Sequence, residues 1–105
     1  MTVPQRGQVF RVDLGHGPKP WLVVSNNARN RNLDSVLAAR ITTTRRHVAI
    51  PTVVPLAPAD PLAGSVLCDD LVQLYRDELT APLGALSPRT INAVSAGLRV
   101  ALGIL

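Results

Sequence analysis

The amino-acid sequence predicts an α+β fold, a small barrel of five or six short strands followed by one C-terminal helix. Three observations carry this expectation. Apolar and polar residues alternate over short runs in the first three quarters of the chain, as half-buried strands require. Proline and glycine punctuate those runs. After Ser87-Pro88 the period changes, and Ile91, Val94, Leu98 and Leu102 recur at helical spacing.

The elements follow in order. From Gln8 to Leu14, Phe10, Val12 and Leu14 point one way while Val9, Arg11 and Asp13 point the other, which is a strand launched by Arg6-Gly7. Gly15-His16-Gly17-Pro18 is a kinked loop. Lys19 to Val24 is a continuous apolar strand, with Pro20 fixing its start and Ser25-Asn26-Asn27 closing it as a polar turn. Ala28 to Asp34 reads as a single helical turn or a loop. Ser35 to Thr43 is a third strand in which Arg40 and Thr42 share one face. Thr44-Arg45-Arg46-His47 is a basic turn, and Val48 to Val54 a fourth strand with Pro51 near its end or edge. Pro55 to Gly64, with Pro55, Pro58 and Pro61, is a surface loop, and Ser65 to Tyr75 carries two more short strands around Asp69-Asp70. Ser87 caps the terminal helix and Pro88 occupies its first position.

At 105 residues the expectation is one domain, 1–105, with a single core and little area to spare. Apolar residues make up 47% of the chain and mean hydropathy is +0.21, an excess that fits a homodimer interface. No apolar run approaches the roughly 18 residues of a membrane span, and Met-Thr-Val-Pro-Gln-Arg lacks the core of a secretory signal, so the chain reads as cytoplasmic. The one cysteine, Cys68, excludes an internal disulfide. A formal charge of +4 and a pI near 10.6 favour polyanionic partners. With only Phe10, Trp21 and Tyr75 as aromatics, contact through groove electrostatics is expected rather than base stacking.

Several chemistries find little support. His16, His47, Cys68 and the scattered carboxylates lack paired ligand spacing, so no metal site is expected, and Asp69 and Asp70 would point to opposite faces of a strand. Ser25 has no glycine-flanked elbow. Cys68, within Val66-Leu67-Cys68, reads as a small buried hydrophobe. RNA cleavage needs almost none of these groups, because RNA brings its own nucleophile, the 2′-hydroxyl. The protein supplies a base, an acid for the leaving 5′-oxygen, and cations on the phosphate. Lys19, the one lysine among 11 basic residues, together with Thr42 and Arg40 is such a set if strands two and three are neighbours.

The order of motifs resembles the MazF/PemK family of toxin endoribonucleases. Arg6 to Leu14 is similar to its opening strand. Lys19-Pro20-Trp21-Leu22-Val23-Val24-Ser25-Asn26 looks like its Arg-Pro-x-x-Val-Val-Ser segment, and Arg40-Ile41-Thr42-Thr43 its Pro-Ile-Thr-Ser strand end. Ser65 to Leu71 and Leu83 to Ser87 follow in the family's order. The resemblance implies an SH3-like or CcdB-like barrel working as a homodimer without a cofactor. The implied activity is metal-independent cleavage of single-stranded RNA to 2′,3′-cyclic phosphate and 5′-hydroxyl ends. It also implies a cognate antitoxin with an acidic, flexible segment.

By position, the family's proton-abstracting and phosphate-stabilising arginine falls on Lys19, and its general-acid or phosphate-binding threonine on Thr42. Lysine gives up the bidentate grip of arginine but can serve as a base when partly desolvated. Arg40 stands where the family often has proline; it either restores phosphate grip or is an exposed strand arginine. Thr43, Arg45, Arg46 and His47 are candidate RNA contacts, the last three alternatively an ordinary basic turn. His16 is a second candidate proton carrier, or a polar loop contact. The rival reading is a non-catalytic CcdB-like inhibitor of a protein target such as gyrase. A third is a degenerate nucleic-acid-binding member.

Overall fold

The fold was analysed in a computed structural model, which describes residues 3–44 and 49–105. Six strands, β1 (Gln8–Asp13), β2 (Pro18–Val23), β3 (Ser35–Thr42), β4 (Val53–Pro55), β5 (Ser65–Tyr75) and β6 (Ala81–Ala85), form one antiparallel sheet in the order β4-β5-β3-β2-β1-β6. Two helices, α1 (Asn27–Asn32) and α2 (Pro88–Leu102), complete the α+β architecture. The α+β class, the number of strands and the terminal helix match the sequence expectation, although the strands are not all the expected ones. The sheet is not closed into a full barrel, since β4 and β6 are its two ends.

Strand parity divides the interior in two. Val9, Leu22, Val24, Ala39, Ile41, Val66 and Cys68 pack under α2 with Val94. Val12, Trp21, Val23, Val36, Ala38 and Leu74 form the second cluster from alternate positions of the same strands. Helix α2 begins where Ser87 Oγ accepts from Thr90 N, with Pro88 in the first turn, and ends at Gly103 in the left-handed region (φ 68°). Its buried stripe is Thr90, Val94 and Gly97; Leu102, expected in that stripe, is exposed. The stripe turns on Gly97, where a Cβ would sit 2.8 Å from Cys68 Sγ and 3.1 Å from Val54 Cγ2. Only glycine lets the helix approach β4 and β5 this closely.

Four elements differ from the sequence reading. Of the two readings of Ala28 to Asp34, a helical turn or a loop, the helical one holds but is longer, since α1 spans Asn27–Asn32 and starts where Asn26 Oδ1 accepts from Arg29 N at 2.8 Å. The fourth strand is only Val53–Pro55; residues 49–52 are turn and bend, and Val48 lies outside the described residues. The two strands expected in Ser65 to Tyr75 are one strand with a break in register: Ala39 faces Leu71 while Arg40 faces Leu67. Cys68, Asp69 and Asp70 are the extra residues of that bulge. Strand β6 was not expected, because Pro82 and Gly84 argue against strand. As an edge strand pairing only with β1 through another bulge, it tolerates both.

Candidate active site

The residues of interest are brought together by the pairing of β2 with β3. Trp21 faces Arg40, Leu22 faces Ala39 and Val23 faces Ala38. Trp21, Lys19 and Arg40 therefore project from one face of the sheet, as the sequence parity of Arg40 and Thr42 requires. The hydrogen-bonded ladder stops at Trp21 and Arg40. Lys19 and Thr42 each lie two residues beyond that last pair, Lys19 on β2 and Thr42 on β3.

A groove of about 240 Å³ opens on this face, lined by Val12, Leu14, His16, Gly17, Lys19, Trp21, Arg40 and Asp70. Lys19 and His16 are exposed. Pro18 and Lys19 face Asp13 and Val12 of β1, which sets the lysine at the mouth of the hairpin. The hairpin loop folds back at Gly15 (φ 103°) and Gly17 (φ 85°), and Asp13 Oδ1 accepts from Gly15 N at 2.8 Å. Arg40 forms a loose ion pair with Asp70, Nη1 to Oδ2 at 3.9 Å, in which both side chains are about two-fifths exposed. The register break in β5 carries Asp70 to this face. Asp69 turns the other way, where its Oδ2 accepts from Thr52 Oγ1 at 2.5 Å. The two adjacent carboxylates thus diverge.

Thr42 is half-buried at the end of β3, facing Ser65, and its Oγ1 accepts from Thr44 N at 3.2 Å. It lies two residues beyond Arg40 and does not line the 240 Å³ groove. Thr43 and Thr44 line a separate cavity of about 600 Å³ with the Pro55–Ser65 segment. Hence His16, Lys19 and Arg40 share one groove, Thr42 adjoins it along β3, and Thr43 opens onto another. Arg45, Arg46 and His47 lie outside the described residues. Sequence reasoning missed Asp70 and Trp21 as groove residues. The partner of Trp21 could be found by aligning strand parities, whereas Asp70 needed the bulge.

Two other nucleophile candidates are accounted for structurally. Ser25 Oγ donates to the buried Asn30 Oδ1 at 2.5 Å and accepts from Leu37 N at 3.0 Å. Cys68 is fully buried; desolvation, with the nearby Asp69 charge, pushes its thiol up to about 11. It is a neutral, packed thiol at physiological pH.

Comparison with known proteins decides the family. Residues 5–102 match the family model described as PemK-like, MazF-like toxin of type II toxin-antitoxin system. The chain belongs to this toxin family. It is 53% identical over 104 residues to Endoribonuclease MazF1 of Mycobacterium bovis and to Endoribonuclease MazF4 of Mycobacterium tuberculosis, covering 99% of this chain and 97% of each relative. A mycobacterial endoribonuclease solved in complex with its cognate antitoxin superposes with a TM-score of 0.93 at 53% identity, over 97% of both chains. A MazE–MazF structure from Deinococcus radiodurans superposes at 0.83 with 25% identity over the full length of both chains. The family relation inferred from the order of short motifs is thereby shown, and the superposition over nearly the whole chain agrees with it. No helix of the described residues is long and apolar enough to cross a membrane.

Proposed function

We propose that this protein is the toxin of a type II toxin–antitoxin pair and an endoribonuclease that cleaves single-stranded RNA in the groove between β2 and β3. The observation that supports the site assignment is the Trp21–Arg40 pairing of β2 with β3, with Lys19 and Arg40 lining one groove and Thr42 two residues farther along β3. The family match and the 53% identity to proteins named endoribonucleases support the activity over a non-catalytic inhibitor. Residues 1–105 act as one toxin domain and work in the cytoplasm as a homodimer. The cognate antitoxin inhibits by laying an acidic, flexible segment on the basic groove, which its charge complements.

The reaction uses the substrate's own 2′-hydroxyl, so it requires no metal. Lys19, as the free amine, takes the 2′-hydroxyl proton while the 2′-oxygen attacks phosphorus. Arg40 stabilises charge on the phosphate oxygens. The Thr42 hydroxyl protonates the departing 5′-oxygen and is restored from solvent. The phosphorus–5′-oxygen bond breaks as the 2′-oxygen bond forms, leaving a 2′,3′-cyclic phosphate and a 5′-hydroxyl. His16, Thr43, Arg45, Arg46 and His47 serve as contacts along the strand.

The test incubates purified protein with single-stranded RNA in EDTA and maps both ends of the products. Cyclic-phosphate ends, lost in Lys19→Ala and in Thr42→Ala, are expected. Unchanged cutting by both variants would overturn the site assignment, and intact RNA with the wild type would overturn the activity.

A further inference from the structure

Two residues that line the groove each carry a donor without an acceptor. Trp21 Nε1 and Arg40 Nε are buried and have no hydrogen-bond partner among the described residues. Trp21 is only 5% exposed, yet it lines the groove. The two residues are direct cross-strand partners, so their side chains leave the same face at neighbouring positions. A buried N–H without an acceptor costs about 1–3 kcal/mol and is rare in native structures. Arg76 Nε is the third such atom, but Arg76 Nη2 donates to the carbonyls of Asn30 at 2.6 Å and Leu33 at 2.9 Å, so its guanidinium already holds α1. An indole has one donor and nothing else to offer. Among the groove residues the only fixed anion is Asp70, and it reaches Arg40 Nη1 only at 3.9 Å.

From this we infer that Trp21 and Arg40 form a two-donor subsite for one non-bridging oxygen of an RNA phosphate, with the Asp70 carboxylate as a built-in competitor for Arg40. The inference rests on the ribonuclease reading of the groove and adds to it a neutral donor that electrostatics does not require. The indole N–H fixes where the oxygen sits; the guanidinium supplies charge. Asp70 keeps the guanidinium partly neutralised until a phosphate displaces it. A ligand anion thereby satisfies both orphaned donors and frees a carboxylate to solvent. Trp21 is a binding residue of this subsite, not an acid or base.

Because Trp21 is the only tryptophan, it gives one indole cross-peak in a ¹H–¹⁵N spectrum and one source of tryptophan fluorescence. The experiment titrates the full-length protein with a mixed-sequence, 2′-O-methyl single-stranded oligoribonucleotide, and separately with inorganic pyrophosphate. Saturable downfield movement of the indole proton is expected with both. Trp21→Phe, which keeps the ring and removes the N–H, weakens oligonucleotide binding about tenfold. Asp70→Asn strengthens it several-fold and steepens its salt dependence less than a gained phosphate contact would. Oligonucleotide binding that leaves the indole resonance in place overturns the subsite, whatever happens to cleavage. An indole shift that persists in Lys19→Ala and Thr42→Ala, with cleavage unaffected by either variant, supports the subsite and overturns the catalytic assignment instead. The wild-type spectrum keeps the test decisive even if Trp21→Phe folds poorly.

Discussion

Gly64→Ala should damage the protein in a way that reports directly on Thr42. Gly64 has φ +134°, a region that side chains rarely adopt, and a Cβ there would lie 2.4 Å from the Thr42 carbonyl oxygen and 3.2 Å from its carbon. The atom in the way is backbone, so no rotamer change relieves the clash. Backbone strain of this kind costs about 1–3 kcal/mol, and forcing extra volume into a packed site adds about 1–3 kcal/mol. The expected total is about 2–6 kcal/mol out of a domain stability of about 5–15 kcal/mol. Gly17→Ala is the internal control. Its φ is also positive (+85°), but nothing lies within 4 Å, so it pays only the strain. Urea denaturation of both variants gives the difference that belongs to the Thr42 contact. RNA cleavage at saturating substrate should also fall in Gly64→Ala relative to the wild type, measured where the variant remains folded, because the strand end bearing Thr42 must shift. Equal stabilities for the two variants would refute the close approach at Thr42.

Three further outcomes are expected. Asp60 accepts from Ser87 N, Thr90 Oγ1 and Ala57 N; burial alone would raise its pKa, but these bonds hold the carboxyl below the ordinary 3.8. The folded value lies below the unfolded one, so the carboxylate stabilises the fold above pH about 4, and that stabilisation fades as pH falls through the folded value. Asp60→Ala should cost about 1–3 kcal/mol at pH 7 and flatten the acid limb of a stability–pH curve, a curve that stays unchanged if the bonds do not form. Arg6 donates to the Val24 carbonyl at 2.7 Å and to Ser95 Oγ at 2.6 Å, tying β2 to α2; Arg6→Ala should lower stability by about 1–3 kcal/mol in the same denaturation assay. Cys68 should resist iodoacetamide at pH 8 in the native state and react only on unfolding, since its thiol is raised to about 11; rapid native labelling would contradict its burial.

The sequence made the face of each strand legible because parity needs no knowledge of neighbours. Arg40 alternates with the buried Ile41, and Phe10 and Val12 join the cluster opposite Val9. Ser87-Pro88 marked the start of α2 because capping is local. What stayed hidden was non-local. The bulge that turns Asp70 toward Arg40 exists only in the pairing of β3 with β5, and nothing in Cys68-Asp69-Asp70 signals it. Strand β6 depends on an edge position beside β1 that neither Pro82 nor Gly84 could reveal. The six-residue helix α1 carries no apolar period, and Ser25-Asn26-Asn27 reads equally as the turn that closes β2. Its place is secured instead by Asn30, buried against Ser25, and by Arg76 reaching its C-terminal carbonyls.

The two faces of the sheet are built to different standards, and that difference explains where chemistry can sit. Under α2, glycine and small apolar groups bring backbone and side chains into contact, and even the polar members, Thr90 and Asp60, end in satisfied hydrogen bonds. On the opposite face no long helix of the described residues covers β1 and β2, and among those residues two donors stay unsatisfied and an ion pair is stretched to 3.9 Å. Optimising that face for stability would mean supplying the missing acceptor from the protein, for instance by drawing Asp70 fully onto Arg40. A closer pair would hold the guanidinium against any incoming phosphate and lower the gain from binding one. The loose pair and the silent indole are therefore the same trade-off seen at two atoms. Stability is given up at Trp21 and Arg40 so that an anion, rather than the fold, completes the site.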